Sequence, residues 1–123
     1  MATGWLRIVG NKKHILRFRA VNRDIFEAIR KGNKKIETRA ATKRYRAIKD
    51  GDIIIFVCGD KKFKKRVKKV ELFKSIDAIL KKYKPETINP KNRTAADARK
   101  MWYSFPGYKE KIRKYSLVAV HLK

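Results

Sequence analysis

Apolar positions along the chain fall into short runs whose period changes from two to three and a half and back. Residues 14–20 alternate in part, with Ile15, Leu16, Phe18 and Ala20 apolar, and predict a first strand. Asn22 can cap a helix over residues 23–31 whose Ile25, Phe26 and Ile29 share a face. Arg30 and Lys31 suit the negative C-terminal end of that helix, and Gly32 stands where a C-cap glycine belongs. Residues 35–40 predict a short second strand, and residues 42–50 a basic connector with no period. The apolar run of residues 53–58 predicts a strand buried on both faces. Residues 61–73 then predict a long strand. Its apolar parity changes between Val67 and Val70, the mark of a bulge or a barrel bend. Ser75 can cap a helix reaching about Tyr83, with Ile76, Ile79 and Leu80 facing in, and residues 85–92 read as a loop. Thr94 with Asp97 forms a capping pattern for a helix through Trp102. Pro106-Gly107 ends it, residues 108–114 give one or two more helical turns, and residues 117–122 alternate as a final strand. The order β-α-β-β-β-α-α-β lacks the regularity of a parallel βαβ sheet and predicts an α+β domain.

Composition narrows the picture. A chain of 123 residues suits one domain, expected over residues 14–123, with residues 1–13 as a loose lead-in from which Trp5, Leu6 and Ile8 can dock on the body. There are 35 Lys and Arg against 11 Asp and Glu, a formal net charge of +24. Such self-repulsion opposes compaction and points to a polyanionic partner, nucleic acid before an anionic membrane surface. Cys58 is the one cysteine, so no disulfide within the chain is possible and a reducing, cytoplasmic setting is expected. His14 and His121 have no metal-ligand spacing with it, so neither a metal nor another cofactor is expected. No apolar run approaches the roughly 20 residues of a membrane span, and the expected state is a monomer off the membrane.

The chemistry concentrates after the first helix. Residues 32–39 read GNKKIETR, a Gly-x-Lys-x-x-Glu-x-Arg pattern. Gly51-Asp52 then precedes an apolar strand, Val70 and Phe73 lead into Ser75-Ile76, and an apolar strand closes the chain. In these residues the chain resembles the ASCH domain family, over about residues 14–123. The resemblance implies a PUA-like fold, a mixed β-barrel with flanking helices around a cleft lined by the motif. It also implies an RNA-related function, by binding, by ribonuclease action in a few members, or by acetylcytidine amidohydrolysis in others. The amidohydrolase subgroup carries Thr where this chain has Glu37, and its later glutamate could correspond only to Glu86.

The motif also has a direct physical reading. Glu37 and Arg39 are two apart on a strand, so they share a face, where they can pair or Glu37 can aim Arg39 at a phosphate. Lys34 adds a compact cation. A solvated ion pair beside a helix cap would use the same residues. Tyr45 sits among Lys43, Arg44, Arg46 and Lys49, a mixture of cation and aromatic suited to single-stranded RNA. In KKFKKRVKK, residues 61–69, Lys64, Arg66 and Lys68 share a strand face and suit phosphate contact, or protection of a sheet edge. Trp102, Tyr103, Phe105 and Tyr108 form an aromatic cluster expected to be mostly core, with one or two members lining the cleft. The expected function is therefore non-catalytic RNA binding. Metal-independent ribonuclease action is the main alternative, with Lys34, Glu37, Ser104 and Tyr103 as its candidate groups.

Overall fold

The computed structural model describes residues 11–123. Trp5, Leu6 and Ile8 lie outside the described residues. The first strand opens at Lys13, one residue before the expected start, and the Lys12 carbonyl accepts from the Ile53 amide.

The strands are β1 (Lys13–Arg17), β2 (Ile36–Ala40), β3 (Ile53–Cys58), β4 (Lys61–Phe73) and β5 (Leu117–Leu122). The helices are α1 (Arg23–Arg30), α2 (Lys43–Arg46), α3 (Ile76–Lys82), α4 (Pro85–Ile88), α5 (Ala95–Tyr103) and α6 (Tyr108–Tyr115), and a 3-10 turn over Ala20–Asn22 leads into α1. The five strands form one mixed sheet in the order β1-β3-β4-β5-β2. Among the described residues only the β1–β3 pair is parallel. The architecture is α+β, as the pattern predicts.

No ladder joins the end strands β1 and β2 among the described residues, so the sheet is not closed into a hydrogen-bonded barrel. Side chains span that gap instead. Arg39 of β2 donates to the Arg17 carbonyl at 3.4 Å, and Arg44 of α2 donates to the Ile15 carbonyl at 2.6 Å.

β5 divides two cores. Val118, Val120 and Leu122 face a cluster with Leu16, Ile25, Phe26, Ile29, Ile54, Phe56 and Val67. Leu117 and Ala119 face the other side, against Ile36, Ile76, Ile79, Ile88, Ala98, Trp102 and Ile112. The first cluster lies under α1, where Phe63 sits 4.9 Å from both Phe26 and Phe56, centroid to centroid. The second is roofed by helices α3 to α6. A strand between two cores must be apolar on both faces, which is why LVAVHL is nearly continuous rather than alternating.

Several boundaries differ from the sequence expectation for local reasons. β3 was expected to be buried on both faces. Its Ile54, Phe56 and Cys58 are buried while Ile53, Ile55 and Val57 are only half-buried, because one face alone meets the core under α1. Asn22 stands at the start of α1, but its side chain makes no capping bond. The basic connector contains the single turn α2, and the expected loop opens with the single turn α4, started by Pro85. The parity change in the long strand is a bulge between Val67 and Lys69. It is the point where β4 leaves β3, paired over residues 61–66, and joins β5, paired over residues 67–73. Over residues 61–66 the basic run therefore pairs on one side only among the described residues, and its other edge is open, as the sequence allowed. Ser75 caps α3, and Thr94 with Asp97 forms a reciprocal capping box on α5.

Candidate functional site

The end of α1 sets the site. Lys31 closes the helix and Gly32, at φ 84°, takes the left-handed conformation that reverses the chain. The Lys34 amide returns to the Ala28 carbonyl at 3.0 Å, which tucks the Lys34 side chain under the start of β2. There it is 3% exposed. Its ammonium donates to the Ile36 carbonyl, to the Ile88 carbonyl at 2.5 Å, and pairs with Glu37 Oε1 at 3.3 Å. Burial pushes this ammonium below the usual lysine range, while the Glu37 carboxylate opposes the shift. All three of its donors are engaged, so Lys34 holds Glu37 rather than reaching out as an exposed cation.

Glu37 is 5% exposed and shared. Its other oxygen accepts from Arg39 Nε at 3.1 Å. Arg39 also donates through Nη1 to the Tyr45 hydroxyl at 3.3 Å. Its guanidinium lies between two rings, 4.9 Å from the Phe18 centroid and 5.5 Å from that of Tyr45. The side chain is thus aimed from both sides, which leaves one N–H on each terminal nitrogen to meet a ligand. Thr38, between them in sequence, turns to the opposite core, where its hydroxyl accepts from Trp102 Nε1 at 2.8 Å.

These groups line a cavity of about 490 Å³. Its walls come from β1 (Arg17), the segment after it (Phe18, Arg19), β2, α2 (Arg44, Tyr45), Asn89, the turn before α6 (Phe105) and α6 itself (Tyr108, Lys111). Burial lifts the Tyr108 phenol above its usual range, and its oxygen accepts from the Ala40 amide at 3.3 Å. Besides Lys34 and Arg39, four further cations, Arg17, Arg19, Arg44 and Lys111, contribute to the lining, and Glu37 is its one carboxylate among the described residues.

The structure therefore brings together Lys34, Glu37, Arg39, Arg44 and Tyr45 of the sequence-predicted set. Others fall elsewhere. Lys43 is exposed outside the cavity. Arg46 donates to the Ala41 carbonyl at 2.7 Å and the Tyr115 carbonyl at 3.0 Å, which holds it against the backbone outside the cavity. Lys64, Arg66 and Lys68 are exposed on β4 and do not line the cavity, and Arg66 donates to the Gly51 carbonyl at 2.8 Å. Ser104 and Tyr103 are also outside it. Ser104 donates to the Met101 carbonyl of its own helix, and Tyr103 is 45% exposed. The proposed enzymatic quartet is thus not assembled. Of the aromatic cluster, Trp102 is core, while Phe105 and Tyr108 line the cavity. Arg17, Phe18 and Lys111 were missed, since they reach the cavity from elements distant in sequence.

A second polar cluster joins β4, β5 and α3. Glu71 accepts from His121 at 2.6 Å and also from Tyr83 and Lys82. Despite partial burial, these bonds bring the Glu71 carboxyl down to about 2. Among the described residues, no group of His, Cys, Asp and Glu could hold a metal ion, and no helix is long and apolar enough to cross a membrane.

The fold and cavity define a class, a small α+β domain whose mixed sheet leaves a cation-lined cleft between its end strands. The chain belongs to the family of hypothetical protein PH0355, whose crystal structure matches with 32% sequence identity and a TM-score of 0.77, over 90% of this chain and 97% of that one. Protein PF0455 from Pyrococcus furiosus is similar too, with 28% identity and a TM-score of 0.69, over 93% of this chain and 96% of that one. No protein-family model matches the chain, and no curated protein matches it.

Proposed function

We propose that this protein is an RNA-binding domain of the ASCH kind, a variant of the PUA-like barrel whose closing seam is made by arginine side chains. It holds single-stranded RNA without cutting it. One observation carries the reading: the cavity combines a ring-sandwiched Arg39, buffered by Glu37, with cations and aromatic rings on its walls. Phosphates meet the arginines, and an unstacked base meets Tyr45, Phe105 or Tyr108. The surrounding charge of +24 supplies the long-range attraction. The free, buried thiol of Cys58 suits the reducing cytoplasm. A monomer suffices, because every group named belongs to one chain.

The test is a titration of labelled single-stranded RNA at several salt concentrations. If about five phosphates are neutralised, log affinity should fall with log salt at a slope near −3.5. A flat response, or no binding at low salt, would remove the RNA reading. Shortening of the RNA in the presence of EDTA would remove its non-catalytic part.

A further inference from the structure

We infer that the cavity selects guanine, with Glu37 as the residue that reads it. The inference rests on the RNA reading and names the base which that reading leaves open. The cavity offers a particular order of acceptors and donors. Among the described residues each Glu37 oxygen has one protein partner, Lys34 Nζ at 3.3 Å on one and Arg39 Nε at 3.1 Å on the other. A carboxylate oxygen has a second lone pair, so the pair of oxygens keeps two adjacent acceptor positions. Donors line the same cavity. Arg39 keeps one N–H on each terminal nitrogen. The hydroxyls of Tyr45 and Tyr108 each accept one bond from the protein, which leaves their hydrogens to give.

The edge that complements this order carries two adjacent N–H donors next to an acceptor. Guanine has N1–H and N2–H side by side, with O6 following. Adenine and cytosine set a ring-nitrogen acceptor beside their amine, and that lone pair would face the carboxylate. Uracil has one N–H between two carbonyl oxygens, so one oxygen would face it. A buried acceptor forced against another acceptor costs more than a missing bond, and sites of this kind discriminate strongly. The volume, about 490 Å³, is in the range of small-molecule sites, and the cationic rim suits the phosphate that a nucleotide brings with its base.

The experiment compares GMP, IMP, AMP, CMP and UMP by equilibrium titration, with oligouridylate as a separate probe of the basic surface. All five mononucleotides bring a phosphate, so differences report the base. GMP should bind about tenfold more tightly than AMP, CMP or UMP. IMP, which lacks the N2 amine, should fall between. Glu37→Gln should bring GMP and AMP to similar affinity, since an amide offers one acceptor and one donor in place of two acceptors. Equal affinities in the wild type, a preference for another base, no saturable binding of GMP, or a guanine preference that survives in Glu37→Gln would each overturn the inference. Oligouridylate binding at low salt with any of those results would leave the RNA reading intact. Its absence would remove that reading instead.

Discussion

Successive residues of β2 serve opposite faces of the sheet and so divide stability from recognition. Thr38 accepts from Trp102 in the helix-roofed core, while Glu37 and Arg39 point into the cavity. Trp102→Phe should therefore destabilise the fold by about 2–3 kcal/mol, through lost volume and the lost indole bond, and leave RNA affinity unchanged under native conditions. Arg39→Lys should instead lower RNA affinity. An ammonium cannot keep Glu37, Tyr45 and a ligand at once, so affinity should fall by about 1–2 kcal/mol. Denaturant melts and binding titrations on both variants would separate the two effects, and equal loss of binding in both would refute the division. The motif triad was legible because a strand's period of two places Glu37 and Arg39 on one face whatever else the chain does. Ser104 and Tyr103 misled because helical geometry decides them. α5 turns Trp102 inward, leaves Tyr103 at the surface, and ends at Ser104, whose hydroxyl bonds back to the helix. Arg17, Phe18 and Lys111 left no local signal, since their place depends on which strands end beside each other.

At the scale of elements, α3 is fastened to the sheet by one carboxylate. Glu71 of β4 accepts from His121 of β5, from Lys82 at the end of α3, and from Tyr83 just beyond it. The Tyr83 phenol is raised to about 12, by burial first and then by its bond to Glu71. The Glu71 carboxyl stands at about 2 in the fold against an ordinary 4.5, so the unfolded chain takes up the proton first. The stability it contributes is complete above 4.5 and is lost as pH falls from there through about 2, roughly 2–3 kcal/mol once screening at half-exposed Lys82 is allowed for. His121 acts in the same direction at higher pH. Burial, with Lys69 and Lys82 nearby, holds its pKa below 6.5 despite Glu71, so stability begins to fall as pH drops under 6.5. Denaturant midpoints measured from pH 7 to pH 2 should decline throughout, and Glu71→Gln should flatten the lower part of the curve. An unchanged acid limb in that variant would show that the cluster contributes nothing. Longer elements with caps were legible in the sequence, as α3, α5 and the β4 bulge show, because local chemistry specifies them. The single turns α2 and α4 were not, for four residues are too few to display a period. The Glu71 cluster was also invisible, since His121 and Glu71 are fifty positions apart.

Over the whole molecule, charge and sheet closure act together. The sequence pattern could name the strands but not whether the sheet closes, because pairing of β1 with β2 depends on contacts remote in sequence. The chain leaves that seam to Arg39 and Arg44, and the cavity lies where a closing ladder would have run. The basic run on β4 is separate from that cavity and has a different task. Among the described residues, positions 61–66 pair with β3 alone and leave their other edge open, so protection of that edge and phosphate contact are both compatible with its lysines. Lys62, Lys64 and Lys68 are exposed, and no ion pair engages any of them among the described residues. Arg66 is best left intact, since it braces the Gly51 turn. Replacing the three lysines by Gln should lower RNA affinity for all sequences alike, because phosphate contacts position RNA without reading it. If each lysine neutralises one phosphate, the salt slope should become shallower by about 2, since each such contact on a single strand contributes roughly 0.7. The fold should be retained, as exposed charges contribute little to stability. Any guanine preference should survive, for it resides in the cavity. A slope that does not change would confine RNA to the cleft and leave the β4 lysines without a role in binding. A slope that changes together with the base preference would mean that the run and the cavity form one continuous site.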